Sequence, residues 1–223
     1  MQTVTKMRLS KETLSILKNF ANINSNILIK PGNKLKTISH GMNILAEATI
    51  QEEFDTTVPI SDLNQFLGVI TMFNNPDLEF TDKYVDISNG RSTVRYFYSS
   101  IKLLTVPEKE LPSPKPIIDF ILDEHNLNEM LKAANILQVN DVEIVGEGGE
   151  LKIVVSEATN TTSNNFSIVI DEKYDGPDYR GKLEVSDIKF LPGSYKVELT
   201  SGVISRFTHQ TQNLVYYIAI DRR

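Results

Sequence analysis

The sequence predicts an α+β protein built from two similar domains. Three observations carry this: amphipathic helix patterns set among short strands, a proline-rich stretch at the midpoint, and one order of helix and strand signals on both sides of it.

The first helix lies within "RLSKETLSILKNFANINSNILIKPGN", Arg8 to Asn33. Ser10 is a natural N-cap and Glu12 suits the first turn. At 100° per residue, Leu14, Ile16, Leu17, Phe20, Ala21 and Ile23 share one half of the wheel. Lys11, Ser15, Lys18, Asn19 and Asn22 share the other, with Lys11, Lys18 and Asn22 close to one line. Asn24 to Asn26 end the helix, and "NILIK" opens a strand. Strands follow at "LKTIS", "NILAEATI" and "FDTTVPI", with turns at "KPGNK" and "SHGMN". A second helix is expected over at least Ser61 to Gly68, where Leu63, Phe66, Leu67 and Ile70 have helical spacing. Then "DLEF", "KYVDIS" and "RSTVRYFY" read as strands, the last two joined by an Asn89-Gly90 hairpin.

"LLTVPEKELPSPKPI", Leu103 to Ile117, carries too many prolines for a helix or a central strand and reads as a stiff, extended linker. The expected division is therefore 1–104, a linker over 105–116, and 117–223. Beyond the linker the order repeats. "SILKNFANINSNILIK" is echoed by "NEMLKAANILQVNDVEIV" at an offset of 113, and "ISDLNQFLG" by "VSDIKFLPG" at 125. The second echo predicts a further helix carrying Lys189. Each copy ends in strand, turn, strand, so the period describes duplicated domains rather than a solenoid.

The chain has 223 residues, a formal net charge of −6 and no cysteine, which excludes a disulfide framework and thiol chemistry. The opening "MQTVTKMRLS" lacks the apolar core of a signal peptide, and no run approaches a membrane span. A cytoplasmic protein is the expectation. Charge is unevenly placed. Residues 1–37 hold seven cations against Glu12 alone, which leaves 16 basic and 28 acidic residues in the remainder. Such asymmetry indicates a local anion-facing surface on a chain that otherwise repels polyanions, although a solvated helix face with surplus lysines fits composition alone.

No catalytic constellation emerges. His40, His125 and His209 are far apart and have no ligand spacing. There is no Gly-x-Ser-x-Gly elbow, and "GEGGE" lacks the Gly-Lys-Ser/Thr ending of a phosphate loop, so it reads as a hairpin turn. Glu52, Glu53 and Asp55 are expected between strands, and Asp171, Glu172 and Asp175 in a loop. Neither group reads as a metal site. "RYFY" at Arg95 to Tyr98 alternates between the faces of a strand and lacks the glycines of an RNA-binding sheet. Neither cofactor nor metal is expected.

The stretches "LSKETLSILKNFANINSNILIKPG", "ISDLNQFLGVITMFNN", "GRSTVRYFY" and "FLPGSYKVEL" closely resemble the sliding clamps of T4-type bacteriophages, the DNA polymerase processivity factors. The resemblance runs from about Arg8 to Asp221; "LVYYIAI" also looks like the last strand of cellular trimeric clamps. It implies a DNA-clamp fold: two similar domains per chain, each with two helices beside antiparallel sheets, and three chains closing into a ring. Helices line the hole, sheets form the outer wall, and duplex DNA passes through without sequence specificity. That would explain lysines on the first helix of an acidic chain, because phosphates attract them through a sequence-independent term.

Carried over to this sequence, the resemblance places Lys11, Lys18, Asn22, Lys132 and Lys189 against DNA. Lys132 is flanked by Asn128 and Asn135, and the second-domain helix also carries Asp123, Glu124 and Glu129, which weakens attraction there. It further implies a groove for partner peptides near the linker, with Val106, Leu111, Tyr217 and Ala219 as candidates. Implied partners are double-stranded DNA, a DNA polymerase, an ATP-dependent clamp loader and two further copies of the chain, acting in the cytoplasm of an infected bacterium. The alternatives are a phage structural or assembly protein, which leaves the basic amphipathic helix unexplained, and a metal-dependent nuclease-like enzyme, which needs clustered acids.

Overall fold

Each domain is assembled by burying one face of a helix on strands whose apolar residues alternate. The protein is represented by a computed structural model that describes residues 5–107, 115–160 and 162–222. The chain divides into two units, Met1–Glu110 and Leu111–Arg223.

In the first unit, β1 (Thr5–Met7) leads into α1 (Lys11–Ile23). There follow β2 (Ile27–Ile29), β3 (Gly32–Ile38), β4 (Ile44–Phe54) and β5 (Val58–Ile60). Then come α2 (Leu63–Thr71), β6 (Asp77–Phe80), β7 (Tyr84–Ser88) and β8 (Thr93–Phe97). The sheet order β1-β6-β7-β8 is antiparallel throughout; β2 pairs with β5, and β3 with β4. α1 packs on α2 and β4. Ile16, Leu17 and Phe20 of α1 and Leu63, Phe66 and Leu67 of α2 are buried with Val85 and Ile87 of the sheet.

The second unit repeats this plan except at α2, whose place a 3-10 turn takes, and at its last short strand. β9 (Ile118–Leu122) leads into α3 (Glu124–Leu137), then β10 (Asp141–Glu147), β11 (Glu150–Ser156), β12 (Phe166–Asp171) and β13 (Tyr179–Glu184). After a 3-10 turn at Val185–Asp187 come β14 (Tyr195–Leu199), β15 (Ile204–His209), β16 (Leu214–Ala219) and the short β17 (Asp221–Arg222). β9-β14-β15-β16 reproduces the pairing β1-β6-β7-β8, and β10 pairs with β13 as β2 does with β5. β11 pairs with both β10 and β12, and α3 packs on β11 and β12. The β10–β11 turn is the expected "GEGGE" hairpin, where Gly148 and Gly149 take φ of 62° and 86°, backbone that side chains with a Cβ rarely adopt.

Four expectations change. The helix expected at "VSDIKFLPG" is absent: among the described residues only the 3-10 turn forms there. Pro192 stands where α2 has Leu67 and cannot supply the N–H that Ile188 C=O would need, while its ring would strike that carbonyl, a cost of about 3 kcal/mol or more. The backbone turns to tyrosines instead. Leu191 N–H donates to Tyr216 Oη (3.0 Å), and Leu191 C=O accepts from Tyr195 Oη (2.5 Å). Burial pushes both phenols up from their ordinary range. Phe190 packs 4.7–4.9 Å from the Tyr195, Phe207 and Tyr216 rings, so this segment is fastened to the second sheet.

Glu52 and Glu53 lie inside β4 rather than between strands. Asn19, expected on the polar side of α1, is 6% exposed at the border of the two faces. Finally, the N-caps Ser10 and Asp123 keep the offset of 113, but α3 is one residue longer and burial aligns the bodies of α1 and α3 at 114. Thr13, Ile16 and Phe20 occupy the places of Leu127, Met130 and Ala134, and the C-caps Asn24 and Gln138 follow.

Candidate nucleic-acid interface

The exposed face of α1 is set by its two ends. Ser10 Oγ accepts from Thr13 N–H at 3.1 Å, closing the first turn as an N-cap. Glu52 of β4 reinforces it, because its carboxylate accepts from both Ser10 N–H and the Thr13 hydroxyl. Burial pushes the Glu52 carboxyl up, but these hydrogen bonds outweigh it and the net shift is downward. At the other end Asn24 N–H donates to Phe20 C=O (2.9 Å), and its amide reaches Ile38 C=O (2.8 Å) and Thr105 C=O (3.2 Å). With both ends fastened, the rotation of α1 about its axis is fixed by packing rather than by propensity.

That rotation presents Lys11, Ser15, Lys18 and Asn22 to solvent, spaced four, three and four residues apart, hence in a single line. Among the described residues neither lysine has a carboxylate within ion-pair distance. Most strand cations differ. Lys36 meets Glu47 at 2.8 Å, Lys182 meets Asp141 at 3.1 Å, Lys196 meets Glu198 at 3.4 Å, and Arg206 meets Glu198 at 2.5 Å. Arg95 forks onto Asp86 with two 2.8 Å bonds and holds that carboxyl below its usual range. The cations left available for an external anion are therefore concentrated on helices and loops.

α2 contributes no charge to such a surface. Asp62 caps it by accepting from Gln65 N–H (2.8 Å), and Asn64, Gln65, Gly68 and Thr71 are exposed. On α3, capped by Asp123 through Asn126 N–H (2.7 Å), Asn128, Lys132 and Asn135 are exposed, and Lys132 has no ion pair among the described residues. Lys189 is half-buried in the loop after the 3-10 turn and belongs to no helix. Of the five residues expected to face DNA, the structure thus brings Lys11, Lys18 and Asn22 onto one line, puts Lys132 on the corresponding helix of the other unit, and removes Lys189 from the helical set. The three helices together carry three cations and three carboxylates. Their attraction for a polyanion is therefore modest.

The groove candidates fall apart into separate elements. Val106 is half-buried beside Thr105, whose N–H donates to Asn26 Oδ1 at 3.1 Å. Leu111 lies outside the described residues. Tyr217 and Ala219 share one face of β16, Tyr217 half-buried opposite Arg206 and Ala219 exposed opposite Ile204. The residue that sequence reasoning passed over is His125. Its side chain is 79% exposed in the first turn of α3.

Among the described residues no group of three His, Cys, Asp or Glu side chains is arranged to hold a metal ion, and no helix is long and apolar enough to cross a membrane.

Comparison with known proteins adds an independent line. A family model described as DNA polymerase processivity factor matches residues 10–102. The sliding clamp of Escherichia phage RB69 is 30% identical over 227 residues, covering 96% of this chain and 97% of that protein. The sliding clamp of Enterobacteria phage T4 is 31% identical over 225 residues with the same coverage. Among solved structures, A. fulgidus PCNA with the C-terminal region of FEN-1 bound matches with a TM-score of 0.71 at 10% identity, covering 100% of this chain and 98% of that one. Proliferating cellular nuclear antigen from Entamoeba histolytica gives 0.70 at 13% identity, covering 98% of each chain. At such identities the structural likeness speaks for the fold alone.

Proposed function

This chain belongs to the sliding clamps of T4-type phages, DNA polymerase processivity factors rather than enzymes, and from that premise we propose that three copies close into a ring around duplex DNA with α1 and α3 facing the phosphates. The observation that carries the reading is the line Lys11, Ser15, Lys18, Asn22, which offers unpaired cations on a helix while most strand cations are neutralised by neighbours. A short lysine and amide stripe neutralises phosphates without reading bases, so it supports contact that slides. Equal numbers of cations and carboxylates across the helices keep this contact weak. Retention then comes from encirclement, which needs no tight binding.

A closed ring cannot admit a closed duplex, so a separate ATP-dependent loader is part of the proposal, as is action in the cytoplasm of the infected bacterium. Ring closure is assigned to two of the strands that end their sheets, β8 and β12, which expose Phe97 and Val169. An end strand on each unit permits head-to-tail pairing between copies, the interface type that closes rings. Partner peptides, the polymerase tail among them, are assigned to the surface bearing Val106, Leu111, Tyr217 and Ala219.

Light scattering over a concentration series tests the assembly. A species of about 75 kDa, three times the 25.2 kDa chain, is expected. A monomer at every concentration would refute the ring while leaving the fold in place.

A further inference from the structure

The 114-residue offset set by burial pairs the exposed positions as well. Lys11 falls on His125, Ser15 on Glu129, Lys18 on Lys132 and Asn22 on Ile136. The α3 counterpart of the α1 stripe is therefore His125, Glu129, Lys132 and Ile136, again spaced four, three and four residues apart. His125 Nε2 lies 3.6 Å from Glu129 Oε1, one turn along the helix.

We propose that His125 is the α3 equivalent of Lys11, contacting a DNA phosphate as an imidazolium, so that the hold of this protein on duplex DNA tightens on acidification. The proposal rests on the reading that α1 and α3 face DNA. As a neutral ring His125 leaves Glu129 unopposed, and the carboxylate cancels Lys132 in the field seen by a phosphate. As a cation it neutralises Glu129 and releases Lys132 to act on the DNA. Imidazole is the side chain whose charge changes over roughly pH 5 to 8, so this exchange lies within a working range.

The charged groups nearest His125 on its own helix are carboxylates. Glu129 faces it directly, and Asp123 and Glu124 flank it on the same element. The loop packed against this end of the helix contributes the Ser194 hydroxyl, which accepts from Glu124 N–H at 3.1 Å, and carries Lys189 as its one charged residue. The residues that β11 and β12 turn toward α3, among them Leu151, Ile153, Val155 and Ile168, do not titrate. Opposing the cation is the positive end of the helix dipole, which Lys11 faces equally on α1. An arriving phosphate supplies the remaining attraction.

The test is fluorescence anisotropy of a labelled linear duplex of mixed sequence, titrated with the full-length protein at matched ionic strength from about pH 8 to about pH 6. Wild type is expected to bind severalfold tighter at the lower pH, with log affinity falling more steeply against log salt by about 0.9 for each phosphate engaged. His125→Ala should bind at the weaker level throughout, and His125→Lys at the tighter level throughout. A pH dependence that survives in His125→Ala, or a His125→Lys variant that binds like His125→Ala, overturns the proposal. Lys11→Glu/Lys18→Glu separates the two ideas. If it weakens binding while the His125 variants have no effect, the histidine assignment alone fails. If it leaves binding unchanged, the helices do not face DNA and both readings fall.

Discussion

Replacing Glu52 tests whether α1 is held in place by a residue outside it. The carboxylate accepts from Ser10 N–H and from the hydroxyl of Thr13, a side chain only 1% exposed. Glu52→Ala removes both acceptors and leaves two donors at the start of α1 to find others. Hydrogen bonds to a charged group contribute a net of about 1.5–3 kcal/mol each, and Ser10 N–H regains water readily once its acceptor is gone. A net loss of about 2–3 kcal/mol is therefore expected. For a unit of this size, unfolding entropy converts each kcal/mol into about 4 °C, so the melting temperature of the first unit should fall by about 10 °C. Glu52→Gln keeps one acceptor without the charge and should lose roughly half as much. The effect must also depend on pH with a defined sign. The folded carboxyl lies below its ordinary value of 4.5, so its stabilisation is complete above that value. It disappears as pH falls through the folded pKa, and wild type and Glu52→Ala should converge in acid. Scanning calorimetry near pH 7 and again below pH 4.5 is the assay. A melting temperature within about 2 °C of wild type near neutrality, or a difference that persists undiminished in acid, would refute the reasoning.

Two further outcomes are expected. Lys11→Glu/Lys18→Glu reverses both cations of α1 and should flatten the salt dependence of DNA binding by about 0.9 for each phosphate no longer neutralised, shorten polymerase runs, and leave the light-scattering mass unchanged. Gly193→Ala should destabilise the second unit by about 2 kcal/mol or more in urea titration, because Gly193 sits at φ 144° and an added Cβ would lie 2.3 Å from His209 Nε2.

The first helix, its Ser10 cap, the Asn89-Gly90 and Gly148-Gly149 turns and the duplicated order were legible in the chain itself. Each is a local matter: a 3.6-residue apolar period, an oxygen within reach of an unpaired N–H, a turn that needs glycine. The family was legible for the same reason, since those local signals are spread over nearly its whole length. Pro192 shows a local signal overlooked. The likeness of "VSDIKFLPG" to "ISDLNQFLG" suggested a helix, yet one proline ring in its second turn was enough to abolish it and to move Lys189 off the helical surface. Other features had no local signal. The carboxylate that caps α1 comes from Glu52, 42 residues beyond Ser10, and nothing near either residue announces the pairing. Whether Asn19 joins Lys18 and Asn22 in water depends on what packs along the border of the apolar face, and packing buries it. The one-residue difference between offsets of 113 and 114 cannot be settled by sequence likeness in so short a helix. Which residues are buried decides it, and with it whether Lys11 corresponds to an acid or to His125. Periodicity, caps and turns are properties of neighbours along the chain; helix rotation, ion pairing and register come from contacts between distant segments, and those exist only once the chain has folded.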